Sequence, residues 1–532
     1  MSLLGGVINS GASELIIKDI RLKYNSSITI NKSSGLLLDS GTSIIISGIK
    51  ILSNGGQLNI NPSYGFDTFG TIAQNLYNSK VSELENYQDI TINNVQKVGG
   101  LLGYMRNTLF DNCINESNIS FGTTEVIGGL IGQAEGSLEN GQLKFAITNS
   151  KCSNSEKNYA IKSYVDSGNA STVGGIVGLS NNYYYQKNIF GKNLEDGGKF
   201  CRRNGDLTAG TVGGIVAKSD SDLIVNCTTY GNYGNNSANV SGGIVGEVNG
   251  TGYKDNILSS VYNCTNYARV IGIYAGGIAG KAKEASFNIN TNHKNGEILT
   301  DSASTGYSGG IVGYATDSQI DGCINQGYIA SESFTTSVKV GGIAGESERG
   351  SLKNCTHNGY VGILAKTAPN KQAKADGYNI LYFYNVLNVD NNNGGNYTTY
   401  KYEEEPHTVG DSGIKDNAYN LTYIAYSDSN TSMENNNCNV EDNNKFAVHD
   451  YFVTSGRYCT GWRLWWGGAR IWADVYDYTG TLSDDGVTPF KLNDAYSEQK
   501  TPGDVNGDRK KNLEDGTQKI AYGACNFWGT IN

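Results

Sequence analysis

The residues best equipped for chemistry in this 532-residue chain lie near its C-terminal end. Counting from Asp504, oxygen-bearing groups fall at positions 1, 3, 5, 7, 9 and 12 of a twelve-residue loop. They are Asp504, Asn506, Asp508, the backbone carbonyl of Lys510, Asn512 and Asp515. Hard cations take six or more oxygens from such an alternating run, so the segment is a candidate Ca²⁺ site. Against it, Arg509 stands where Gly would ease the turn, and Lys510 and Lys511 lower the local negative charge. The competing reading is a polar surface turn. A second concentration is aromatic: four of the five Trp, namely Trp462, Trp465, Trp466 and Trp472, lie with Tyr458, Tyr476 and Tyr478 in residues 451–480. Aromatic side chains join a large contact area to a polar tip, which suits a face that stacks on sugar rings or on a protein partner. The same residues would equally build the core of a compact module.

Catalytic constellations are thin. The chain has 4 His, at His293, His357, His407 and His449, and no HExxH, so a zinc-peptidase centre has no ligands. Gly410–Gly413 spells GDSG close to His407, which resembles the nucleophile loop of trypsin-like proteases. Neither an ordered His and Asp nor a twin-barrel pattern accompanies it. Glu403, Glu404 and Glu405 form a solvated run, as do Asp484 and Asp485. With no fixed acid pair to name, glycan cleavage by paired carboxylates has no assigned residues. The 10 Cys include no CxxC pair and lack zinc-ligand spacing.

The elements that would position any of these groups are written in a repeat. VGGLLG from Val98 recurs as IGGLIG from Ile127, VGGIVG from Val173, VGGIVA from Val212, SGGIVG from Ser241, AGGIAG from Ala275, SGGIVG from Ser308 and VGGIAG from Val340. The first Gly of successive words is 29, 46, 39, 29, 34, 33 and 32 residues from the last. Units this small cannot bury their apolar residues alone and must stack on one another. A second landmark, 14 residues after the first Gly, is Cys113, Cys227, Cys323 or Cys355, with Cys152 and Cys264 taking that role after longer spacers. His293 is placed where a Cys is expected, and Cys201 with Gly205 reads as an extra half-unit. Equivalent Cys on successive rungs would point the same way as buried free thiols, poorly oriented for disulfides.

This two-part unit resembles the GLUG-motif family of bacterial repeat proteins, in which the Gly-Gly word alternates with Asn-Cys segments such as NCTTYGN from Asn226 and NCTHNGYV from Asn354. The resemblance covers roughly residues 95–365 and implies a parallel β-solenoid on secreted or surface proteins, often adhesin-like, without implying one activity. GDVNGDRKKNLED from Gly503 resembles the calcium loop of dockerin-type repeats, although only one loop of the usual two is present. ACNFWGTIN from Ala524 resembles a motif that closes coils in parallel β-helix proteins.

The residues themselves argue for strands. Gly makes up 70 positions, and an interior Gly costs a helix about 1 kcal/mol relative to Ala. Short Val/Ile runs bounded by Gly, Asn and Ser read as buried strands joined by tight turns. Asn and Gly tolerate the positive φ that corners need, and Gly pairs allow close packing there. The expected fold is all-β, a right-handed parallel β-helix with a mixed β C-terminal region. Residues 1–94 are read as N-terminal capping coils, 95–365 as the repeat solenoid, 366–480 as a Tyr/Asn/Trp-rich β region and 481–532 as the tail with the calcium loop.

Net charge is −10 with no long basic run, which argues against a nucleic-acid partner. No stretch of about 18 apolar residues is present, so no membrane span is expected. No signal peptide is visible in MSLLGGVINSG. The family resemblance and the Asn/Ser/Thr/Tyr-rich surface favour an extracellular or cell-surface location over a cytoplasmic one. The expected function is a non-enzymatic binding or adhesion scaffold for a glycan or protein ligand; the alternative is a secreted carbohydrate-active β-helix enzyme.

Overall fold

The structure, a computed structural model, describes residues 2–365 except 12–13, 24–26, 31–34, 54, 63–65, 154–159, 164–170, 197–199, 205, 235–237, 251–258, 301–304 and 332–337. It also describes residues 381–384, 398–404, 419–438 except 423 and 429, 446–450, 457–463 and 469–474. Among the described residues all regular elements are strands. One coil shows the plan: Val216–Asp220, Leu223–Val225, Thr228–Thr229, Asn232–Tyr233 and Val240–Gly242, after which the next coil opens at Val245. Each of these strands pairs in parallel with its equivalents in the neighbouring coils, giving five 12-stranded sheets, here I to V in chain order, the fifth including two edge strands that join antiparallel. The chain is therefore a parallel β-solenoid. Among the described residues no helix is long and apolar enough to cross a membrane.

The repeated word spans the bend from sheet V into sheet I, and its aliphatic residues are the core. Ile215, Ile244, Ile278, Ile311 and Ile343 are all 0% exposed. Burying each such side chain contributes about 1.5–3 kcal/mol relative to leaving it in water. The Gly pair is there for space rather than for a left-handed backbone. A Cβ on Gly242 would lie 1.8 Å from the Val245 carbonyl oxygen, and one on Gly243 would lie 2.1 Å from that of Gly277 and 2.4 Å from Asn266 Cγ.

Two further corners do use the left-handed region. Between sheets I and II it is taken by Asn107, Asn182, Ser221 and Asp317, and between II and III by Asn112, Asn149, Asn226, Asn263 and Asn354, with φ between 49° and 56°. Asn tolerates this conformation better than most residues with a Cβ. The next residue points inward and accepts a backbone N–H from the preceding coil. At the second corner Cys113 N–H donates to Ser150 Oγ (3.2 Å), Ser150 N–H to Asn188 Oδ1 (3.0 Å), Cys227 N–H to Cys264 Sγ (3.4 Å) and Cys264 N–H to Asn290 Oδ1 (2.9 Å). At the first corner Ser79 N–H donates to Thr108 Oγ1 (3.4 Å) and Tyr183 N–H to Asp222 Oδ1 (2.7 Å). This accounts for the Asn-Cys landmark: Asn makes the turn, and the following side chain caps its neighbour.

Two residues from that landmark lies another inward row: Asn86, Asn115, Cys152, Phe190, Thr229, Asn266, Asn292, Asn325 and His357. Here the register corrects three expectations. Cys152 is paired with Asn115, not with the Cys113 row, because Ser150 holds the corner in its coil. His293 likewise is not in the Cys row, which in that coil is filled by Asn290; the His293 ring packs on Tyr267 with centroids 4.2 Å apart. Cys201 belongs to no half-unit, since Lys192–Asp196 and Phe200–Asn204 form an antiparallel hairpin that leaves the coil. The spacings misled because insertions of unequal length separate word and corner.

The stack also extends at both ends beyond the words. Gly6–Ile8, Leu15–Lys18, Arg21–Lys23 and Ile28–Ile30 already pair in parallel with the next coil. Past Ala365, strands Tyr419–Thr422, Ala425–Ser427, Ser432–Glu434, Asn437–Cys438 and Phe446–Asp450 add one more coil, in which Thr422 stands opposite Gly341. Antiparallel pairing appears in Leu381–Tyr384 with Thr398–Glu404, and in Arg457–Arg463 with Ala469–Asp474.

Candidate functional site

In the strands of sheet I every second side chain faces solvent, because side chains alternate across a strand. The outward positions are five and seven residues after the first Gly of each word. The second of these rows reads Arg106, Glu135, Asn181, Asp220 and Asn249 on successive coils. Together with Leu179 and Lys218, which are paired in the first outward row, they line a groove of about 440 Å³. An antiparallel hairpin, Leu138–Glu139 with Gln142–Leu143, leaves the coil just after the groove residues Glu135 and Gly136.

The groove is polar and mixed in charge. Glu135 accepts hydrogen bonds from Tyr104 Oη (2.6 Å) and from Gln133 Nε2. Lys218 lies 3.6 Å from Glu247. Burial, and then the nearby Glu247 carboxylate, push the Asp220 carboxyl above its ordinary value. Beneath the groove Asp222 is 1% exposed and accepts from Tyr183 N–H (2.7 Å) and Ser219 Oγ (2.7 Å). Burial pushes its carboxyl up to about 7, against the pull of those two bonds. Asp222 is thus a corner cap, closed off from any ligand.

A second feature lies in the angle between sheets V and I. Tyr274 and Tyr307 stack with centroids 5.1 Å apart, Tyr314 packs beside them at 5.3 Å from Tyr307, and Lys281 Nζ sits 3.7 Å over the Tyr274 ring. Lys339 pairs with Glu346 across the same angle. Burial, and then Glu346, raise the Tyr307 hydroxyl to about 12. A platform for a flat ligand needs a free ring face, whereas these faces are taken up by one another and by Lys281. The cluster therefore serves as packing that fixes the angle between the two sheets.

The residues singled out from the sequence are dispersed. Trp462 and Trp472 lie on the two strands of one antiparallel hairpin, with Trp462 opposite Arg470 and Trp472 opposite Cys459. Trp465 and Trp466 fall outside the described residues, as do the whole Asp504, Asn506, Asp508, Lys510, Asn512 and Asp515 loop, the GDSG run with His407, and Asp484 and Asp485. Glu403 and Glu404 belong to strand Thr398–Glu404, and His449 to strand Phe446–Asp450. His357 follows Asn325 in the inward row, its Nδ1 2.9 Å from Asn325 Nδ2, and stands opposite Cys438 in the last coil. Among the described residues no group of three or more His, Cys, Asp or Glu is arranged to hold a metal ion. Sequence reasoning missed the groove residues, although their constant offset of seven from each word was available as a signal. The chain matches no family model, no curated protein and no solved structure.

Proposed function

We propose that this protein is a binding scaffold that holds a glycan chain along the outer face of sheet I. The observation that carries the reading is the groove itself. Sugar hydroxyls both donate and accept hydrogen bonds, and the groove offers donors at Arg106 and Lys218, acceptors at Glu135 and Asp220, and amides at Asn181 and Asn249 that do both. Leu179 supplies an apolar patch for the C–H face of a ring. The same outward row recurs at every coil, about 4.8 Å apart, a repeat comparable to one hexose in an extended polysaccharide. The in-register Gly-Gly words and the Asn/Ser/Thr/Tyr-rich composition support placing such a scaffold at the cell surface or outside the cell.

Retention on a glycan array tests this, comparing the parent with Arg106→Ala and Asn181→Ala. Both positions are exposed, so the variants should keep the parental melting temperature and lose retention. A parent that binds no glycan, or variants retained as well as the parent, would overturn it. Capture of a protein ligand through the same groove would favour the protein-binding form of the scaffold.

A further inference from the structure

The two ends of the stack differ in shape, and the difference amounts to one strand. Sheets I to V each hold 12 strands, yet the fifth is displaced by one coil along the axis. Among the described residues the first coil supplies strands to sheets I to IV only, at Gly6–Ile8, Leu15–Lys18, Arg21–Lys23 and Ile28–Ile30, and sheet V begins in the second coil with Phe66–Gly70. At the far end sheets I to IV finish at Ala425–Ser427, Ser432–Glu434, Asn437–Cys438 and Phe446–Asp450, and Thr398–Glu404 takes the level of that last coil in sheet V. Leu381–Tyr384 then projects one strand further. It is antiparallel to Thr398–Glu404, which is antiparallel to Tyr419–Thr422, so it runs in the same direction as the other strands of the sheet. One end therefore has a notch one strand deep and the other a tab of that depth, both in sheet V.

The side chains at the two ends match this shape. A solenoid end that meets solvent is ordinarily closed by a polar repeat, but the first coil presents Ile8, Leu15 and Ile16 at 74%, 39% and 50% exposure. Its inward side chains Ile17, Leu22 and Ile28 are half-buried, while Ile46, Ile51 and Leu58 opposite them in the second coil are buried. The last coil has the corresponding gap at Met433, which is also only partly buried. Ile17 and Met433 are the first and last members of one unbroken inward row of sheet II, and Lys18 and Glu434 of the outward row beside it.

From this complementarity we infer that the protein associates with further copies of itself end to end, the first coil of one on the last coil of the next, in an open-ended filament. Such stacking continues both rows, setting Ile17 on Met433 and Lys18 beside Glu434. It seats Leu381–Tyr384 of one copy in the notch of the other, next to Phe66–Gly70 and in the parallel sense that the sheet already has. It also pairs edge strands that are otherwise a template for uncontrolled association. Contact between two first coils would instead set notch against notch and Lys18 toward Lys18. A head-to-tail contact of this kind repeats along the axis without closing, which makes a filament rather than a dimer.

Sedimentation of the full chain over a concentration series, with negative-stain electron microscopy, tests this. The expected result is a mass that grows past the dimer as concentration rises, and filaments with an axial repeat of about 58 Å, from 12 coils of about 4.8 Å each. Asn9 N–H donates to the Thr42 carbonyl of the second coil, so the N–H of Ile8, one residue earlier in the strand, faces the open end. Ile8→Pro removes that donor from an edge strand, where Pro is tolerated. The variant should keep the parental melting temperature, remain monomeric alone and, through its intact last coil, shorten parental filaments when mixed with them. Lys18→Glu leaves the backbone unchanged and should weaken assembly about fivefold. A parent that stays monomeric overturns the inference, as does a dimer that grows no further. Assembly of Ile8→Pro and Lys18→Glu at parental strength overturns it as well.

Discussion

Asn292 donates from Nδ2 to Oδ1 of Asn325, one coil further along, at 2.8 Å, and both side chains are 0% exposed. Asn266 makes the same bond to Asn292 at 2.9 Å, so each amide is both donor and acceptor in a chain that runs along the axis. The second Gly of each word leaves the volume these amides occupy. Truncating Asn292→Ala deprives Asn266 of an acceptor and Asn325 of a donor, at about 1–3 kcal/mol for each buried group left short of a partner. A clear drop in the urea midpoint is expected. A midpoint equal to the parent would mean that the row is not held by these bonds.

Ile244→Asp places a carboxylate where the parent side chain is 0% exposed and has only core neighbours. The expected loss is several kcal/mol. Because each coil contacts only its neighbours, hydrogen exchange should rise first in the coils on either side. Parental stability would place the word on the surface and contradict the stacking described above.

Asp222 gives the fold a pH dependence of defined sign. Its carboxyl, ordinarily near 3.8, is pushed by burial up to about 7 in the folded chain. Near pH 3 both folded and unfolded states carry the proton. As the pH rises toward 7 the unfolded chain releases it first, so the folded state binds more protons and stability falls, levelling off above the folded value. Asp222→Asn keeps an acceptor for Tyr183 N–H and cannot ionise. Its melting temperature should match the parent near pH 3 and exceed it at pH 8. An equal or lower value at pH 8 would show that the charged carboxylate is not penalised.

Cys227, Cys264, Cys323 and Cys355 are free and 0% exposed. Burial raises the thiols of Cys264 and Cys323 well above their ordinary range and that of Cys355 up to about 12. Reaction requires the thiolate, so alkylation should be negligible in buffer and complete in denaturant without reductant. Mass spectrometry of the labelled peptides reads this directly. Finding those residues joined in pairs would contradict free thiols.

The sequence carried the parts of the fold that repeat by identity. Ile244, Ile311 and the Gly pairs are nearly invariant from word to word because one tight bend and one core position accept few alternatives. The corner caps were only half legible. Ser150, Asn188, Cys264 and Asn290 look unrelated as letters, yet each puts an acceptor at the same reach from the corner, so Cys alone does not mark the row, and Cys152 and His293 lie outside it. Past residue 365 the word is lost, with Thr422 opposite Gly341, and the last coil was hidden with it. The groove was legible only as a constant offset from each word. Solvent-facing positions do not repeat in type, so Glu135 and Asp220, 85 residues apart, fall in one row with Asn181 between them only once the coils are stacked.

The direction of the corner caps has a consequence for biosynthesis. At each capped corner the backbone N–H belongs to the earlier coil and the acceptor to a later one: Ser79 waits for Thr108, Tyr183 for Asp222, and Cys355 for Asn436. During translation a coil that has left the ribosome is unfinished until the chain that follows has been made. Thr108 also looks past a hairpin and an entire coil, to the Tyr183 hydroxyl 75 residues on, and Cys355 waits 81 residues for Asn436. The solenoid is thus completed from behind, each new turn sealing its predecessor, and the growing tip is always the least secured part of the molecule.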